Sequence, residues 1–451
     1  MNMDNIAKTG LAACAAAAMV AGCASLQAGK SQARATEPAG EFHTWAPTPP
    51  MGWNSWDCYG SLVDEEIFKK NADWQAEKLL DFGYEYCVVD IRWYVQNNVC
   101  GRYNEEDPVF TLDEWGRYLP DPKRFPSSAG GAGFKPLADY AHERGLKFGI
   151  HIMRGVPKMA SDKKLPVKGA AGVTCDMIHS GELECPWLRD NFTAVSSKAG
   201  AQEYYDSIIE LYASWGVDFI KCDDLSCPYH ADEIEMIRKA IDKCGRRIVL
   251  SMSPGETPLD QAEHAAANAN MWRIVGDLWD VWSEVEHLTD VTVAWLATAH
   301  RAGSWPDCDM LPLGRLSVSG FGERGDERNA NFTREEARYL FTLMAIAKSP
   351  LMLGSDLPSL GNEDLKWTYD LITDPLLLSA HKNGKWPRAL RHSAEETVII
   401  SDNEEEGTVY LALFNRTADW RRVEALGISA NLAPHEAIMI EIPASYDEQV
   451  R

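Results

Sequence analysis

Two places in the sequence carry carboxylates directly after a short apolar run. The run 217–220 leads into Lys221 and Asp223. A second run leads through Arg273 to Asp277. If both are parallel strands of one sheet, their carboxyl ends meet at the same edge and the two carboxylates face each other. Such a pair suits glycoside hydrolysis, in which one carboxylate attacks the anomeric carbon and the other, kept protonated, donates to the leaving oxygen.

The neighbouring cations fit the same chemistry. Lys221 could hydrogen-bond sugar hydroxyls and keep Asp223 ionised, because a nearby positive charge lowers the pKa of a carboxyl group. Arg273 precedes Asp277 by four residues, an even spacing that puts both side chains on the inward side of a strand. A structural ion pair between them is the alternative interpretation.

A metal-dependent barrel enzyme is a second alternative. It would bind magnesium through the carboxylates at the strand ends. Beyond His151, however, the strand ends offer no His or Glu ligand, and the cysteine spacings lack the form of a zinc site. We therefore predict an enzyme without metal or cofactor. The carboxylates of the alternative site are Asp90, Asp223, Asp224 and Asp277.

The strands and helices that position these residues are predicted from apolar runs that alternate with segments of helical period. Segments of helical period separate many of the apolar runs, most clearly Glu233 to Cys244 and Arg334 to Lys348, which opens at Thr333. Eight strands alternating with helices predict an α/β fold, a (β/α)8 TIM barrel with its active site at the strand C-termini. The eight runs are Met51 to Trp53, Tyr86 to Asp90, Leu146 to His151, Val217 to Asp223, Ile248 to Ser253, Met271 to Asp277, Trp305 to Met310 and Pro350 to Asp356.

The character of the sequence changes after about residue 384. Short β-prone runs separated by polar turns follow, typical of a small antiparallel β-sandwich domain. We therefore expect a catalytic barrel over 45–383 and a C-terminal β domain over 384–451. The β-prone runs are Thr397 to Ile400, Thr408 to Phe414 and Ala437 to Ile442.

The N-terminus has the pattern of a processing segment. Lys8 precedes an apolar, Ala-rich stretch that ends in small residues before Cys23. This predicts a lipoprotein-type signal peptide over 1–22, lipid attachment at Cys23 and a flexible tether over 23–44, with a plain secretory signal as the alternative. The protein is then an exported bacterial cell-envelope lipoprotein that contacts the membrane only through its anchor.

Composition narrows the partners and the cysteine chemistry. The net charge of -23 argues against nucleic acid as a partner. Sixteen Trp and fifteen Tyr include enough rings to stack on the apolar faces of sugars, although most are expected in the core or at its rim. The expected partner, an oligosaccharide or polysaccharide substrate, follows from the predicted glycoside hydrolysis. Of eleven cysteines, Cys14 and Cys23 belong to the N-terminal segment. Cys175 and Cys185, close together in a Gly-rich loop, are the best candidates for a disulfide in an oxidising compartment.

Four motifs in register resemble glycoside hydrolase family 27, the α-galactosidase or melibiase family. The similarity extends over about 45–360, and the final β domain also fits that family. The four motifs are Pro49 to Trp56, Trp215 to Asp223, Trp272-Arg273-x-x-x-Asp277 and Trp305 to Leu311.

The resemblance assigns roles to matching positions. It implies that Asp223 is the nucleophile and Asp277 the general acid/base of a retaining double displacement. Lys221 and Arg273 match positions that bind sugar hydroxyls. Asp309 matches a residue lining the pocket, and it could equally support others from behind. The remaining matches are also predicted to bind the substrate. They are Trp56, on which the sugar packs, Asp90, the first of two acidic residues after the second strand, and His151, at the position where a family tyrosine approaches the sugar.

Departures from the family pattern concern the glycone, the sugar that is cleaved off. Where the family usually has Asp-Asp-Cys-Trp, this chain has Asp90-Ile91-Arg92-Trp93, so the second carboxylate is missing. Arg92 replaces the family cysteine, so the disulfide that this cysteine usually forms is expected to be absent. The segment 251–256 also differs from the motif that reads the 2-substituent of the sugar. These departures indicate intact hydrolytic machinery with a non-standard glycone preference.

The sequence thus predicts an exo-acting, retaining glycosidase, with α-galactosides as the leading substrates because of the family. Two alternatives keep the machinery and change the glycone: an α-glucan exo-hydrolase of isomaltodextranase type and a β-L-arabinopyranosidase. A third, from another class, is a catalytically silent carbohydrate-binding protein at the cell surface. The presence of both Asp223 and Asp277 argues against it, because a pure binder needs no such pair.

Overall fold

The computed structural model describes residues 41–99, 103–296, 302–320 and 325–445. The predicted signal peptide and lipid-attachment residue Cys23 lie outside these ranges. Within them, no helix combines the length and apolar character needed to cross a membrane.

Eight parallel strands form the predicted barrel. Hydrogen bonds join neighbours in the order β8-β1-β2-β3-β4-β5-β6-β7. The last gap is closed by Leu311, whose N–H donates to the carbonyl of Met352 at 2.7 Å and whose carbonyl accepts from Gly354 N–H at 3.1 Å. The strands are β1 Met51–Asn54, β2 Tyr86–Val89, β3 Lys147–Met153, β4 Phe219–Asp223, β5 Val249–Met252, β6 Met271–Arg273, β7 Trp305–Asp307 and β8 Leu351–Leu353.

Helices surround the strands. The two segments of clearest helical period are α6 and α9, and Thr333 and Glu336 form a capping box at the start of α9. The described helices are α1 Trp56–Tyr59, α2 Glu65–Lys78, α3 Lys135–His142, α4 Lys158–Asp162, α5 Ala201–Ser214, α6 Ala231–Lys243, α7 Ala262–Asn268, α8 Trp282–Leu296, α9 Arg334–Ala347, α10 Lys366–Ile372 and α11 Pro375–Asn383.

The strands are largely apolar up to their C-terminal tips because both of their faces are buried. Inward side chains fill the barrel, among them Tyr86, Phe219 and Met352. Outward side chains pack under the helices in a larger cluster. Gly52 on β1 is required by this packing, since a Cβ there would lie 2.1 Å from the carbonyl oxygen of Tyr86. The filled interior leaves the strand ends as the place for a site.

The C-terminal domain is antiparallel, as predicted. One sheet has the order β9-β10-β11-β14, and β12 with β13 forms a separate hairpin. The rings of Tyr339 on α9 and Phe414 on β11 lie 4.9 Å apart and join the domain to the barrel. Sequence patterns missed β9 and β12, which carry many charged residues, and the short β13. The strands are β9 Lys385–His392, β10 Glu396–Asn403, β11 Thr408–Asn415, β12 Arg421–Ala425, β13 Ile428–Leu432 and β14 Ala437–Pro443.

The predicted tether boundary at residue 44 is wrong. Residues Glu41–Trp45 form a short 3-10 helix with Phe42 and His43 buried. The His43 ring lies 2.8 Å from the carbonyl oxygen of Ala266, and the Arg238 guanidinium stacks 4.6 Å from the Phe42 ring. Aromatic side chains at these positions favour docking on the barrel over solvent exposure.

The predicted disulfide between Cys175 and Cys185 is also absent, because both are free thiols. Cys175 belongs to the large cluster under the helices and lies 3.9 Å from the carbonyl oxygen of Trp115. Cys185 packs instead in a small apolar cluster with Ile91. Closeness in sequence did not place the two sulfur atoms together, since the loop carries them into different clusters.

Candidate active site

The tip of β4 carries a buried carboxylate in the barrel mouth. Asp223 is 5% exposed. Its Oδ2 lies 2.8 Å from Nε2 of His151 on β3, and its Oδ1 lies 4.0 Å from Nζ of Lys221. Burial would raise the pKa of Asp223, but Lys221 and His151 outweigh burial and lower it to about 2. The carboxylate is therefore ionised at any ordinary pH.

Lys221 connects this carboxylate to a second one. Its Nζ lies 3.0 Å from Asp90 Oδ2, and the Asn54 amide donates to the same oxygen at 2.7 Å. Burial would lower the pKa of Lys221, but Asp223 and Asp90 raise it above its ordinary value. Asn54 is the last residue of β1 and was not among the predicted site residues. These residues form a continuous polar line across the ends of β1, β2 and β4.

Asp277 follows β6, which lies two strands from β4 in the order of the barrel. The sequence placed it on the sixth strand, but β6 ends at Arg273 and Asp277 lies in the following loop. Strand periodicity therefore does not explain its position. Instead the loop turns back so that Arg273 Nη2 donates to the carbonyl of Gly276 at 2.6 Å and to Asp277 Oδ1 at 3.1 Å. With 42% of its side chain exposed, Asp277 is open to a substrate.

Asp309 contacts both Arg273 and the loop that carries Asp277. It lies 2.6 Å from Arg273 Nη1 and accepts a hydrogen bond from the Leu278 backbone N–H at 2.7 Å. Burial raises the pKa of Asp309 to about 7, with Arg273 opposing the shift and Asp277 adding to it. The structure places Asp309 behind Asp277 by these contacts, as one of the sequence alternatives anticipated.

Aromatic side chains stand at the mouth. The ring of Trp56 stacks on Tyr103 with centroids 6.1 Å apart, and Tyr103 lies 6.0 Å from Trp187. Burial raises the pKa of the Tyr103 phenol, and Asp223 and Asp90 raise it further, which places Tyr103 beside the carboxylates. Sequence analysis missed Tyr103 and Trp187, because both lie in long loops without any strand signal.

Ile91 fills the position of the absent second carboxylate with an apolar wall. It is 1% exposed and clusters with Met153, Cys185 and Leu188. The aromatic residues of the mouth pack against the same cluster. A sugar substituent directed at this wall meets carbon and sulfur instead of a hydrogen-bond acceptor.

Arg92, the next residue, joins the loops after β2 and β3. Its Nε and Nη2 donate to the two carboxylate oxygens of Asp190 at 2.8 and 2.5 Å. Its Nη1 donates to the carbonyl of Asn104 at 2.9 Å, and its guanidinium lies 5.4 Å from the Tyr103 ring. This fully buried ion pair holds Tyr103 over the site.

We expect Arg92→Met to lower the free energy of unfolding by about 3–5 kcal/mol, because it leaves the buried Asp190 carboxylate without its cation. Urea denaturation measures the loss. The double variant Arg92→Met/Asp190→Leu is the matched control, and it should recover much of that stability since no buried charge remains. Equal losses in the single and double variants would contradict this explanation.

The described residues contain no group of three His, Cys, Asp or Glu side chains that could hold a metal ion. In particular, Asp224 turns away from Asp223 and pairs with Arg154 at 2.7 Å. The Lys221 ammonium already pairs with Asp90 Oδ2 at 3.0 Å. The four carboxylates of the magnesium alternative therefore do not converge.

A closed (β/α)8 barrel whose strand ends carry an ionised carboxylate and an exposed one, near aromatic rings, fits a glycoside hydrolase. The family model described as alpha galactosidase A (Melibiase_2) matches residues 48–163 and 157–370. The chain belongs to this family, glycoside hydrolase family 27, and the resemblance seen in the sequence is confirmed. It is an O-glycosyl hydrolase of a retaining family.

The chain is similar to proteins named for different glycosidase activities. The α-galactosidase of Oryza sativa subsp. japonica is 24% identical, covering 87% of this chain and 84% of that protein. Alpha-galactosidase A of Cellvibrio japonicus is 28% identical over 84% and 79% of the two chains. Among solved structures, a β-L-arabinopyranosidase of Geobacillus stearothermophilus is 41% identical with a TM-score of 0.85, covering 89% of this chain and 98% of that one.

Proposed function

We propose that this protein is an exo-acting β-L-arabinopyranosidase that works through a covalent glycosyl-Asp223 intermediate. The observation that carries the proposal is the apolar wall around Ile91, at the position where a second carboxylate would meet the sugar. The greater identity to a β-L-arabinopyranosidase than to the named α-galactosidases supports it.

The catalytic roles follow from the two carboxylates. In the first step an oxygen of Asp223 bonds to the anomeric carbon, the bond from that carbon to the leaving oxygen breaks, and Asp277 gives its proton to the leaving oxygen. In the second step water attacks the same carbon and passes a proton to Asp277, and Asp223 leaves as a carboxylate. The low pKa of Asp223 suits a nucleophile, and the exposure of Asp277 suits exchange with solvent.

The glycone preference rests on one substituent. A β-L-arabinopyranoside has the ring and hydroxyl arrangement of an α-D-galactoside but lacks the hydroxymethyl group. Asp90 with Lys221 offers hydrogen bonds for hydroxyls that both sugars share. A hydroxymethyl group directed at Ile91 would lose its hydrogen bonds to water without replacement, at a cost of about 1–3 kcal/mol. The pentose avoids that cost.

An α-galactosidase is the second candidate. It is favoured by the α-galactosidases among the relatives and by the polar line from Asn54 to Lys221, which suits either glycone. The α-glucan alternative has no comparable support in the site.

The test is release of 4-nitrophenol from the β-L-arabinopyranoside, α-D-galactoside, α-D-glucoside and α-N-acetyl-D-galactosaminide. We expect the arabinopyranoside to have the highest kcat/KM. In Ile91→Asp the restored acceptor should shift the ratio of kcat/KM values toward the galactoside by about 10–100-fold.

Ile91→Val is the matched control, since it shortens the side chain without adding an acceptor, and its ratio should stay within about threefold of the parent. A parent enzyme that prefers the galactoside would overturn the arabinopyranosidase proposal. An unchanged ratio in Ile91→Asp would show that this wall does not set the preference.

A further inference from the structure

His151 has a contact that substrate binding does not explain. Its side chain is fully buried on β3, and its Nε2 lies 2.8 Å from Asp223 Oδ2. The other oxygen of that carboxylate, Oδ1, is the one nearer Lys221, at 4.0 Å. The two oxygens of Asp223 therefore have different neighbours, and one of them is held by an imidazole.

The surroundings of the imidazole limit what it can do. The neighbouring strands bring Lys221 and Asp223 to it from β4, and β2 ends next to Asp90. Within the described residues, neither ring nitrogen forms a hydrogen bond. The separation of 2.8 Å is that of a charge-assisted hydrogen bond, which an N–H on Nε2 directed at Oδ2 would make.

We infer that His151 is a positioning residue for the nucleophile. It holds Oδ2, leaves Oδ1 as the oxygen that bonds to the sugar, and donates a hydrogen bond to the carboxylate as it departs in the second step. This inference rests on the proposed function, in which Asp223 is the nucleophile.

The two steps demand different things of Oδ2. When Oδ1 bonds to the anomeric carbon, Oδ2 becomes the carbonyl oxygen of an ester and loses most of its charge. When water attacks, the bond from the anomeric carbon to Oδ1 breaks, its electron pair returns to Asp223, and the negative charge spreads again onto Oδ2. A donor N–H on Oδ2 therefore stabilises the departing carboxylate and speeds the second step.

The test compares His151→Phe, which has no donor, with His151→Gln, whose amide N–H can reach the same oxygen. With 4-nitrophenyl β-L-arabinopyranoside the good leaving group makes the first step fast. We expect kcat of His151→Phe to fall by about 10–100-fold, the effect of one hydrogen bond to a charged group. KM should fall with it, and a burst approaching one nitrophenol per active site should develop as the glycosyl-enzyme accumulates. His151→Gln should regain most of the rate.

His151→Ala provides a second route, because added imidazole can occupy the space left and should restore the slow step. Mass spectrometry of the acid-quenched variants should show the pentosyl group on the peptide that contains Asp223. A merely structural histidine would lower kcat and kcat/KM together, without a burst, and neither Gln nor imidazole would restore the rate; that pattern would overturn the inference.

Failure of the inference differs from failure of the proposed function. If the parent enzyme does not cleave the arabinopyranoside, or if it remains active without the Asp223 carboxylate, the proposed function falls and the inference falls with it. If the parent behaves as proposed and His151→Phe turns over at the parent rate without a burst, only the role of His151 is overturned.

Discussion

Asp223→Ala should lower kcat by about 10⁴-fold or more, the scale on which loss of a residue that forms a covalent intermediate lowers turnover. The substitution removes the oxygen that bonds to the anomeric carbon, and no other described carboxylate occupies its place between Lys221 and His151. Turnover of 4-nitrophenyl β-L-arabinopyranoside measures the loss. Azide should enter the space left by the carboxylate and give a glycosyl azide of inverted anomeric configuration.

Asp224→Asn is the matched control for this change. Asp224 is the next residue, equally buried, but its carboxylate pairs with Arg154 outside the sugar site. An amide oxygen can still accept from Arg154, so activity should stay within about tenfold of the parent. If Asp223→Ala kept more than about a hundredth of the parent kcat, or if azide had no effect, Asp223 would not be the nucleophile.

Asp277→Ala should have the second largest effect, and its size should depend on the leaving group. General acid catalysis contributes about 10²–10⁴-fold. We expect a loss of that size with a methyl or sugar aglycone, whose oxygen needs a proton to depart. With a 2,4-dinitrophenyl aglycone the first step needs no proton, so it should keep nearly its parent rate. Kinetics across a series of leaving groups measures the difference.

Azide separates the two carboxylates. In Asp277→Ala it should attack the glycosyl-Asp223 intermediate without base assistance and give a glycosyl azide of retained configuration, opposite to the product of Asp223→Ala. Nuclear magnetic resonance of the azides distinguishes the anomers. A loss in Asp277→Ala that is equal for all leaving groups would exclude the acid/base role and favour the structural ion pair with Arg273.

Much of the barrel and both catalytic candidates were predictable from the amino-acid sequence. The barrel strands correspond to runs of apolar residues followed by polar ones. Such a pattern is local, so it can be recognised without knowing which strands lie next to each other. The replacement at Ile91 could likewise be read from one tetrapeptide, because it lies inside a motif of fixed spacing.

Local patterns failed where the chain leaves a strand. Periodicity extended the sixth strand to Asp277, yet the strand ends at Arg273 and a turn brings the two side chains together. Sequence closeness suggested the bond between Cys175 and Cys185, but the loop places them in separate clusters. Turns and loops take their paths from packing against distant residues, which no short window contains.

The contacts between site residues that are distant in sequence could be seen only in the folded structure. Lys221 reaches Asp90 across 131 residues of sequence, and Arg92 reaches Asp190 across 98. Both contacts depend on strand register and on the course of two long loops. The same register sets His151 against one oxygen of Asp223. The residue types in the sequence indicated glycoside hydrolysis. The register of the closed barrel determined which of these side chains contact one another.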